Sequence, residues 1–183
     1  MLALQGDYRE HTLVVRSLGH EAVLVRLPEH LDDLDAIVLP GGESTTMGKL
    51  ADRFGLLEPL RERIREGLPT LGTCAGMVLL AGSTTEGFEQ PLLGVLDVVV
   101  RRNAFGPQVE SFESRIEVDG LDAPMTAVFI RAPWIEKTGD GVEVLAEIGG
   151  HPVVIRQGSI VATSFHPELT GDGRLHQMML EEA

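Results

Sequence analysis

Basic residues and long apolar runs are scarce in this chain of 183 residues. It has 15 lysine and arginine residues against 28 aspartate and glutamate residues, a formal net charge of −13. This balance argues against nucleic acid as a partner, because phosphates are bound by a basic protein face. No apolar run reaches the roughly 18 residues that suggest a membrane span, and no secretory signal pattern is present. We therefore expect neither nucleic-acid nor membrane binding.

Cysteine occurs once, at position 74. A single cysteine excludes an internal disulfide and suits a reducing compartment, so we predict a cytoplasmic protein. Apolar residues make up 43% of the chain and charged residues 23%, as in ordinary globular proteins. The length predicts one domain, residues 1–183, that is large enough to form a core.

The one cysteine lies in Gly72-Thr73-Cys74-Ala75-Gly76, between an apolar run and a helix-like segment. This spacing is typical of a nucleophile elbow, in which a strained turn raises the nucleophile above the sheet edge. Glycines on both sides keep the turn free of colliding side chains. The start of the following helix would favour a thiolate. The alternative is a buried, inert cysteine.

A second candidate segment is Ser164-Phe165-His166-Pro167-Glu168, which follows a predicted strand. His166 would lie at the carboxyl end of that strand, where open α/β sheets place catalytic groups. Glu168 is near enough in sequence to orient the imidazole, as the third member of a triad does. A solvated loop histidine is the alternative for His166 alone. Together with Cys74, the segment predicts a Cys-His-Glu triad.

A third segment, Pro40-Gly41-Gly42-Glu43-Ser44, also follows a predicted strand. Paired glycines let backbone N–H groups approach a ligand, so the N–H near Gly42 and that of Ala75 are candidate oxyanion donors. The Gly41–Gly42 peptide can also reorient at low steric cost, which predicts that the Gly42 N–H can turn toward or away from Cys74. A phosphate loop is a weak alternative, since its Lys-Ser/Thr ending is missing. A plain turn is another.

Alternating strand and helix patterns predict an α/β three-layer sandwich with a mainly parallel central sheet. Predicted helices cover residues 8–18, 44–54, 56–67, 75–81 and 172–180. Predicted strands cover residues 22–26, 36–39, 69–71, 95–101, 114–118, 127–131, 142–147, 153–156 and 159–164. Gly158 is predicted to lie in a hairpin turn.

These motifs resemble those of the triad-type (class I) glutamine amidotransferases. Further segments are similar to the glutaminase subunits of two-subunit pyridoxal phosphate synthases, and the resemblance runs almost end to end. They are residues 2–11, 42–47, 102–106, 108–112 and 129–133. Family members carry a few more apolar residues before Leu4-Gln5-Gly6. We therefore expect a first strand shortened to about residues 1–4, through a misplaced start codon or a frayed strand.

The resemblance implies a flavodoxin-like fold and glutamine hydrolysis by Cys74, His166 and Glu168. It also implies substrate contacts at Gly42, Glu43, Ser44, Arg102, Ile130 and Arg131, with a solvated surface charge as the alternative for each arginine. Ammonia would pass to a synthase subunit with a (β/α)₈ barrel fold. No cofactor or metal is implied for this chain, because pyridoxal phosphate is the product of the complex.

Three other functions share parts of this pattern. The glutaminase subunit of an imidazole-glycerol-phosphate synthase has the same triad, but residues 4–7 and 42–46 favour the vitamin B6 family. A stand-alone cysteine hydrolase or peptidase would need no partner. A non-catalytic interaction module would not need all three triad members.

Overall fold

Helices and strands alternate along the first part of the chain, as the sequence pattern predicts. The computed structural model describes residues 1–85, 90–104 and 111–182. Its α-helices are α1 (Tyr8–Ser17), α2 (Ser44–Arg53), α3 (Leu57–Arg65), α4 (Ala75–Leu80) and α5 (Arg174–Leu180). Its strands are β1 (Ile37–Leu39), β2 (Thr70–Thr73), β3 (Ala81–Thr84), β4 (Leu96–Arg101), β5 (Ser111–Ile116), β6 (Met125–Ile130), β7 (Trp134–Thr138), β8 (Glu143–Ile148), β9 (His151–Gln157) and β10 (Ile160–Thr163). Among these helices, none is long and apolar enough to cross a membrane.

The central sheet has five strands in the order β1-β2-β10-β9-β8. Strands β1, β2 and β10 run parallel, whereas β9 and β8 are antiparallel. The predicted turn at Gly158 joins β9 to β10, and this glycine has a φ of 56°. The α/β prediction is confirmed, and the mainly parallel description holds for the half that carries Cys74 and His166.

The two faces of the parallel strands pack against different helices, because side chains alternate along a strand. Val38, Leu71 and Val161 cluster with Val15 of α1 and Met179 of α5. Strand residues of the opposite face pack with α2, α3 and α4; they are Ile37, Leu39, Ile160 and Ala162. The three-layer sandwich follows from this alternation.

Some predicted elements differ from the structure. The strand expected at residues 22–26 is reduced to one parallel bridge between Val25 and Leu2. Strands β3 and β7 were not predicted; together with β4 they form a separate sheet in the order β3-β4-β7. Strands β5 and β6 pair as a further two-stranded sheet.

Strand register brings the three candidate segments to one edge of the central sheet. Thr73 at the end of β2 pairs with Thr163 at the end of β10, and Leu39 at the end of β1 pairs with Gly72. The segments that begin at Pro40, Cys74 and Ser164 therefore leave the sheet side by side. Ligands bind at this carboxyl edge in open α/β sheets.

Candidate active site

Cys74 occupies the sharp turn between β2 and α4. Its backbone has a φ of 48° and a ψ of −104°, which is strained for a residue with a side chain. Its N–H donates to the carbonyl of Thr163 at 2.8 Å, which anchors the turn to β10. A Cβ at Gly76 would collide with the carbonyl oxygen of Leu39, so the helix can pass there only with glycine. Cys74 thus lies on a strained turn between a strand and a helix, the backbone geometry of an elbow.

His166 and Glu168 form a buried pair just after β10. Nδ1 of His166 lies 2.7 Å from Oε1 of Glu168, which sits in the 3₁₀ turn Pro167–Thr170. A carboxylate partner at Nδ1 places the proton there and leaves Nε2 for the nucleophile. The structure thus brings Cys74, His166 and Glu168 together.

The charge on His166 depends on its two partners. Burial lowers the pKa of His166, but hydrogen bonds to Cys74 and Glu168 and the charges of both groups outweigh it and raise this pKa to about 10. Burial raises the pKa of Glu168, and its hydrogen bond to His166 opposes that shift. The arrangement therefore favours an imidazolium at His166 at neutral pH, next to the sulfur of Cys74.

A small cleft of about 120 Å³ opens at Cys74. Besides Cys74, its lining includes Gly42, Glu43, Ser44, Ala75, Val78, Arg102, Asn103, Ile130, Arg131 and Pro133. All of the residues predicted to bind substrate or stabilise an oxyanion therefore face one cleft. The volume is below the roughly 300–1,000 Å³ of pockets for drug-sized ligands, which favours a small substrate over a peptide.

Glu43 and Arg102 form a charged pair at the rim of this cleft. Glu43 caps α2, where its carboxylate accepts hydrogen bonds from the N–H groups of Thr45 and Thr46. Burial raises the pKa of Glu43. The hydrogen bonds from the backbone N–H groups and the hydroxyl groups of Thr45 and Thr46 outweigh this effect and lower the pKa to about 2. Arg102 donates to Glu43 at 3.0 Å and to the hydroxyl of Thr45 at 3.1 Å. Arg102 is thus positioned to hold the side chains of Glu43 and Thr45 in place at the start of α2.

Arg131 lies on the other side of the cleft, one residue after β6. Its φ of 43° is unusual for a residue with a long side chain. Such backbone strain concentrates at functional sites. Ile130 beside it is 38% exposed, which is high for an isoleucine and is consistent with a contact surface.

His11 is a part of the site that the sequence pattern gives little reason to expect. It lies on α1 and is fully buried, with Nε2 3.0 Å from Oγ1 of Thr73 and 3.2 Å from Oε2 of Glu168. The available signal was its place in residues 2–11, one of the segments that carry the family resemblance. Among the residues quoted for the family resemblance, 105, 106 and 108–110 lie outside the described part of the chain.

Comparison with known families agrees with this geometry. The family model of the SNO glutamine amidotransferase family matches residues 1–183. The chain belongs to the SNO glutamine amidotransferase family. The family match confirms the resemblance that the sequence motifs predicted.

Curated relatives are similar along the whole chain. A protein of Parafrankia sp. (strain EAN1pec), named pyridoxal 5'-phosphate synthase subunit PdxT, is 60% identical over 183 residues, which is 99% of this chain and 90% of the relative. A protein of the same name from Mycobacterium tuberculosis (strain ATCC 25177 / H37Ra) is 54% identical over 185 residues, covering 99% and 93% of the two chains.

Solved structures show the same fold. A crystal structure of a glutamine amidotransferase, 55% identical, superposes with a TM-score of 0.95 over 99% of this chain and 96% of that one. A putative GMP synthase component from Thermoplasma acidophilum, 20% identical, has a TM-score of 0.69 over 99% and 90% of the two chains. The second similarity, at 20% identity, supports the fold alone. The predicted class I glutamine amidotransferase fold is confirmed by the first.

Proposed function

We propose that this chain hydrolyses L-glutamine to L-glutamate and ammonia, as the glutaminase subunit of a pyridoxal 5'-phosphate synthase. The observation that carries the proposal is the buried Cys74–His166–Glu168 arrangement opening on a small cleft. The name of the curated relatives supports the synthase assignment.

The reaction uses the three residues in sequence. The Cys74 thiolate attacks the side-chain amide carbon of glutamine and forms a thioester after ammonia leaves. His166, as imidazolium, protonates the departing nitrogen, and as neutral imidazole it then activates the water that releases glutamate. Glu168 holds the Nδ1–H tautomer through its 2.7 Å contact.

The tetrahedral intermediate needs donors for its oxyanion. The N–H of Ala75, which directly follows the nucleophile, and that of Gly42 on the facing loop both belong to residues that line the cleft. Backbone N–H groups that point at the oxyanion stabilise its negative charge without reorganising during the reaction. We assign the oxyanion hole to these two groups.

Glutamine recognition rests on the charged rim. Arg131 suits the α-carboxylate, because a guanidinium binds a carboxylate in a bidentate manner. The Glu43 carboxylate, ionised and half-exposed, suits the α-ammonium group. Gly42, Ser44, Arg102 and Ile130 complete the proposed substrate contacts.

Replacing Arg131 with alanine tests this assignment. We expect KM for glutamine to rise by about 10- to 100-fold, since a hydrogen bond to a charged group contributes about 1.5–3 kcal/mol. The value of kcat should change little, because the carboxylate contact is made equally before and during the reaction. Arg115→Ala, an exposed arginine on β5, is the matched control. An unchanged KM in Arg131→Ala would remove Arg131 from the substrate site.

The ammonia must reach a synthase before water protonates it, because ammonium is no nucleophile. We therefore propose direct delivery to a partner subunit, whose (β/α)₈ barrel fold remains an expectation from the family resemblance. A cytoplasmic location is likewise proposed from the free thiol of Cys74.

Reconstitution with the synthase subunit tests the function as a whole. Pyridoxal phosphate formation from glutamine should require both proteins, whereas an ammonium salt should replace this chain. The readout is the absorbance of pyridoxal phosphate with each nitrogen source. Glutamine hydrolysis without any supply of nitrogen to this synthase would instead favour a stand-alone hydrolase or another synthase partner.

A further inference from the structure

Two buried histidines lie behind the triad, on its side away from the cleft. His11 of α1 and His176 of α5 are fully buried, with Nδ1 of His11 2.8 Å from Nε2 of His176. The other ring nitrogen of His11 lies 3.0 Å from Oγ1 of Thr73 and 3.2 Å from Oε2 of Glu168. His11 thus contacts both the residue before the nucleophile and the acid of the triad.

Glu168 needs a partner on its second oxygen. Oε1 binds His166, while Oε2 is buried and accepts no well-aligned hydrogen bond within the described residues. The terminal torsion of a glutamate is broad, so one bound oxygen does not fix the carboxylate plane. A donor beside Oε2 would fix it, and Nε2 of His11 is in that position.

The hydrogen-bond chain selects one tautomer of each histidine. If Nε2 of His11 carries the proton, it faces Glu168 and Thr73, and Nδ1 accepts from Nε2–H of His176. Nδ1 of His176, which has no partner among the described residues, is then an unprotonated acceptor. The reverse assignment would place a lone pair against the Glu168 carboxylate and leave a buried N–H unsatisfied, which is costlier.

Both histidines are neutral at physiological pH. Burial, followed by the charges of His176 and His166 and of the Met1 amino group, lowers the pKa of His11 well below 6.5. Burial lowers the pKa of His176 to about 4, against a smaller upward effect of Asp172. A neutral His11 has one N–H to offer at Nε2, and this nitrogen lies 3.0 Å from Oγ1 of Thr73 and 3.2 Å from Oε2 of Glu168.

We propose that His11 is a positioning residue of the triad: its Nε2–H holds Oε2 of Glu168, so that Oε1 stays on His166, and His176 fixes the tautomer of His11. The inference rests on the proposed glutaminase function and extends it by two residues. Neither histidine is among the residues that line the cleft at Cys74, so the effect is transmitted through Glu168 and through Thr73, the residue before Cys74.

A matched pair of substitutions separates positioning from packing. In His11→Gln the amide nitrogen can occupy the place of Nε2, whereas in His11→Asn the shorter amide reaches only the place of Nδ1. We expect His11→Asn to lower kcat for glutamine about tenfold or more, the equivalent of one lost hydrogen bond. KM should stay within about twofold, because substrate contacts are intact. His11→Gln should recover most of kcat.

The pKa of His166 gives a second readout that does not need substrate. In His11→Asn the carboxylate of Glu168 can turn away, so we expect the pKa of His166 to fall below its value of about 10. In His11→Gln it should stay near that of the unmodified protein. NMR titration of ¹⁵N-histidine-labelled protein measures it, with the His166 signal assigned by its loss in His166→Asn.

Each outcome decides the inference. Equal kcat and an equal His166 titration in His11→Asn and the unmodified protein would overturn it, as would equal losses in the asparagine and glutamine variants. If the chain did not hydrolyse glutamine even with its synthase, the function proposal would fail, and the NMR titration would still decide the role of His11. If His11→Asn does not fold, His176→Asn and His176→Gln provide the same comparison. His176 is one hydrogen bond further from Glu168 than His11.

Discussion

Replacing Cys74 with alanine is expected to abolish glutamine hydrolysis, with a loss of at least about 10⁴-fold in kcat. The thiol forms the covalent bond to the substrate, and the chain has no second cysteine to take its place. The fold should persist, because alanine keeps the Cβ that the strained φ of 48° already accommodates. Cys74→Ser should be nearly as inactive, since a serine hydroxyl is a much weaker nucleophile than a thiolate.

Ammonia release and chemical labelling measure this effect. One equivalent of iodoacetamide should add a single adduct, which can only be on Cys74, and should stop glutamine turnover. With the synthase subunit present, Cys74→Ala should make pyridoxal phosphate from an ammonium salt but not from glutamine. Ser83→Ala, an exposed small residue on β3, is the control. Substantial glutaminase activity in Cys74→Ala would end the proposed mechanism.

The sequence predicts the central layer of the fold well because its pattern is strong. Short apolar runs such as Ile37–Leu39 are bounded by glycine and proline, and amphipathic segments such as Tyr8–Ser17 alternate with them. These features follow from local physics, namely side-chain alternation and helix periodicity. The predicted bounds of the helices differ from the observed ones by one or two residues.

Elements that depend on long-range pairing were predicted less well. The segment at residues 22–26 has strand-like composition, but it forms one isolated bridge, between Val25 and Leu2, and a hydrogen bond from the Met1 amino group to the carbonyl of Val23. Strand β7 (Trp134–Thr138) carries exposed charged residues and was not predicted as a strand, yet it pairs with β4. Its stability comes from neighbours distant in sequence, which no local pattern records.

The candidate site shows the same division. Cys74, His166 and Glu168 were predictable because each motif requires a strand end, and adjacent parallel strands place those ends together. His11 has no such signal, since a histidine on a helix is usually structural. Its approach to Glu168 depends on how α1 packs against the sheet, and this is fixed only in three dimensions.

Adding the synthase subunit is expected to raise the glutaminase rate of this chain by about 100- to 1,000-fold, the usual effect of one oxyanion donor. The Gly41–Gly42 peptide would be the moving part, because two glycines allow it to turn at low steric cost. Its carbonyl accepts from the N–H of Asp7 at 3.1 Å, and the N–H of Glu43 donates to the side chain of Gln5 at 2.7 Å. The peptide is therefore tied to the segment that begins at Gln5.

This tie makes the orientation of the Gly42 N–H responsive to a partner. In a trans peptide the N–H points away from the carbonyl, so the bond from Asp7 also sets the direction of the Gly42 donor. Turning the peptide requires exchange of that one hydrogen bond, at a net cost of about 1 kcal/mol. A synthase that contacts the residues around Gln5 can supply this amount, and the glutaminase then works only where its ammonia is used.

Steady-state glutaminase rates with and without the synthase test the switch. Gln5→Ala should reduce the activation by the partner, because it cuts the link to Glu43 without altering Cys74, whereas Gln177→Ala on the exposed face of α5 should not. Binding of the two subunits must be measured in parallel, so that weak assembly is not mistaken for weak activation. Equal rates for the free and the bound chain would mean that the oxyanion hole is permanently formed and that the paired glycines serve only the turn.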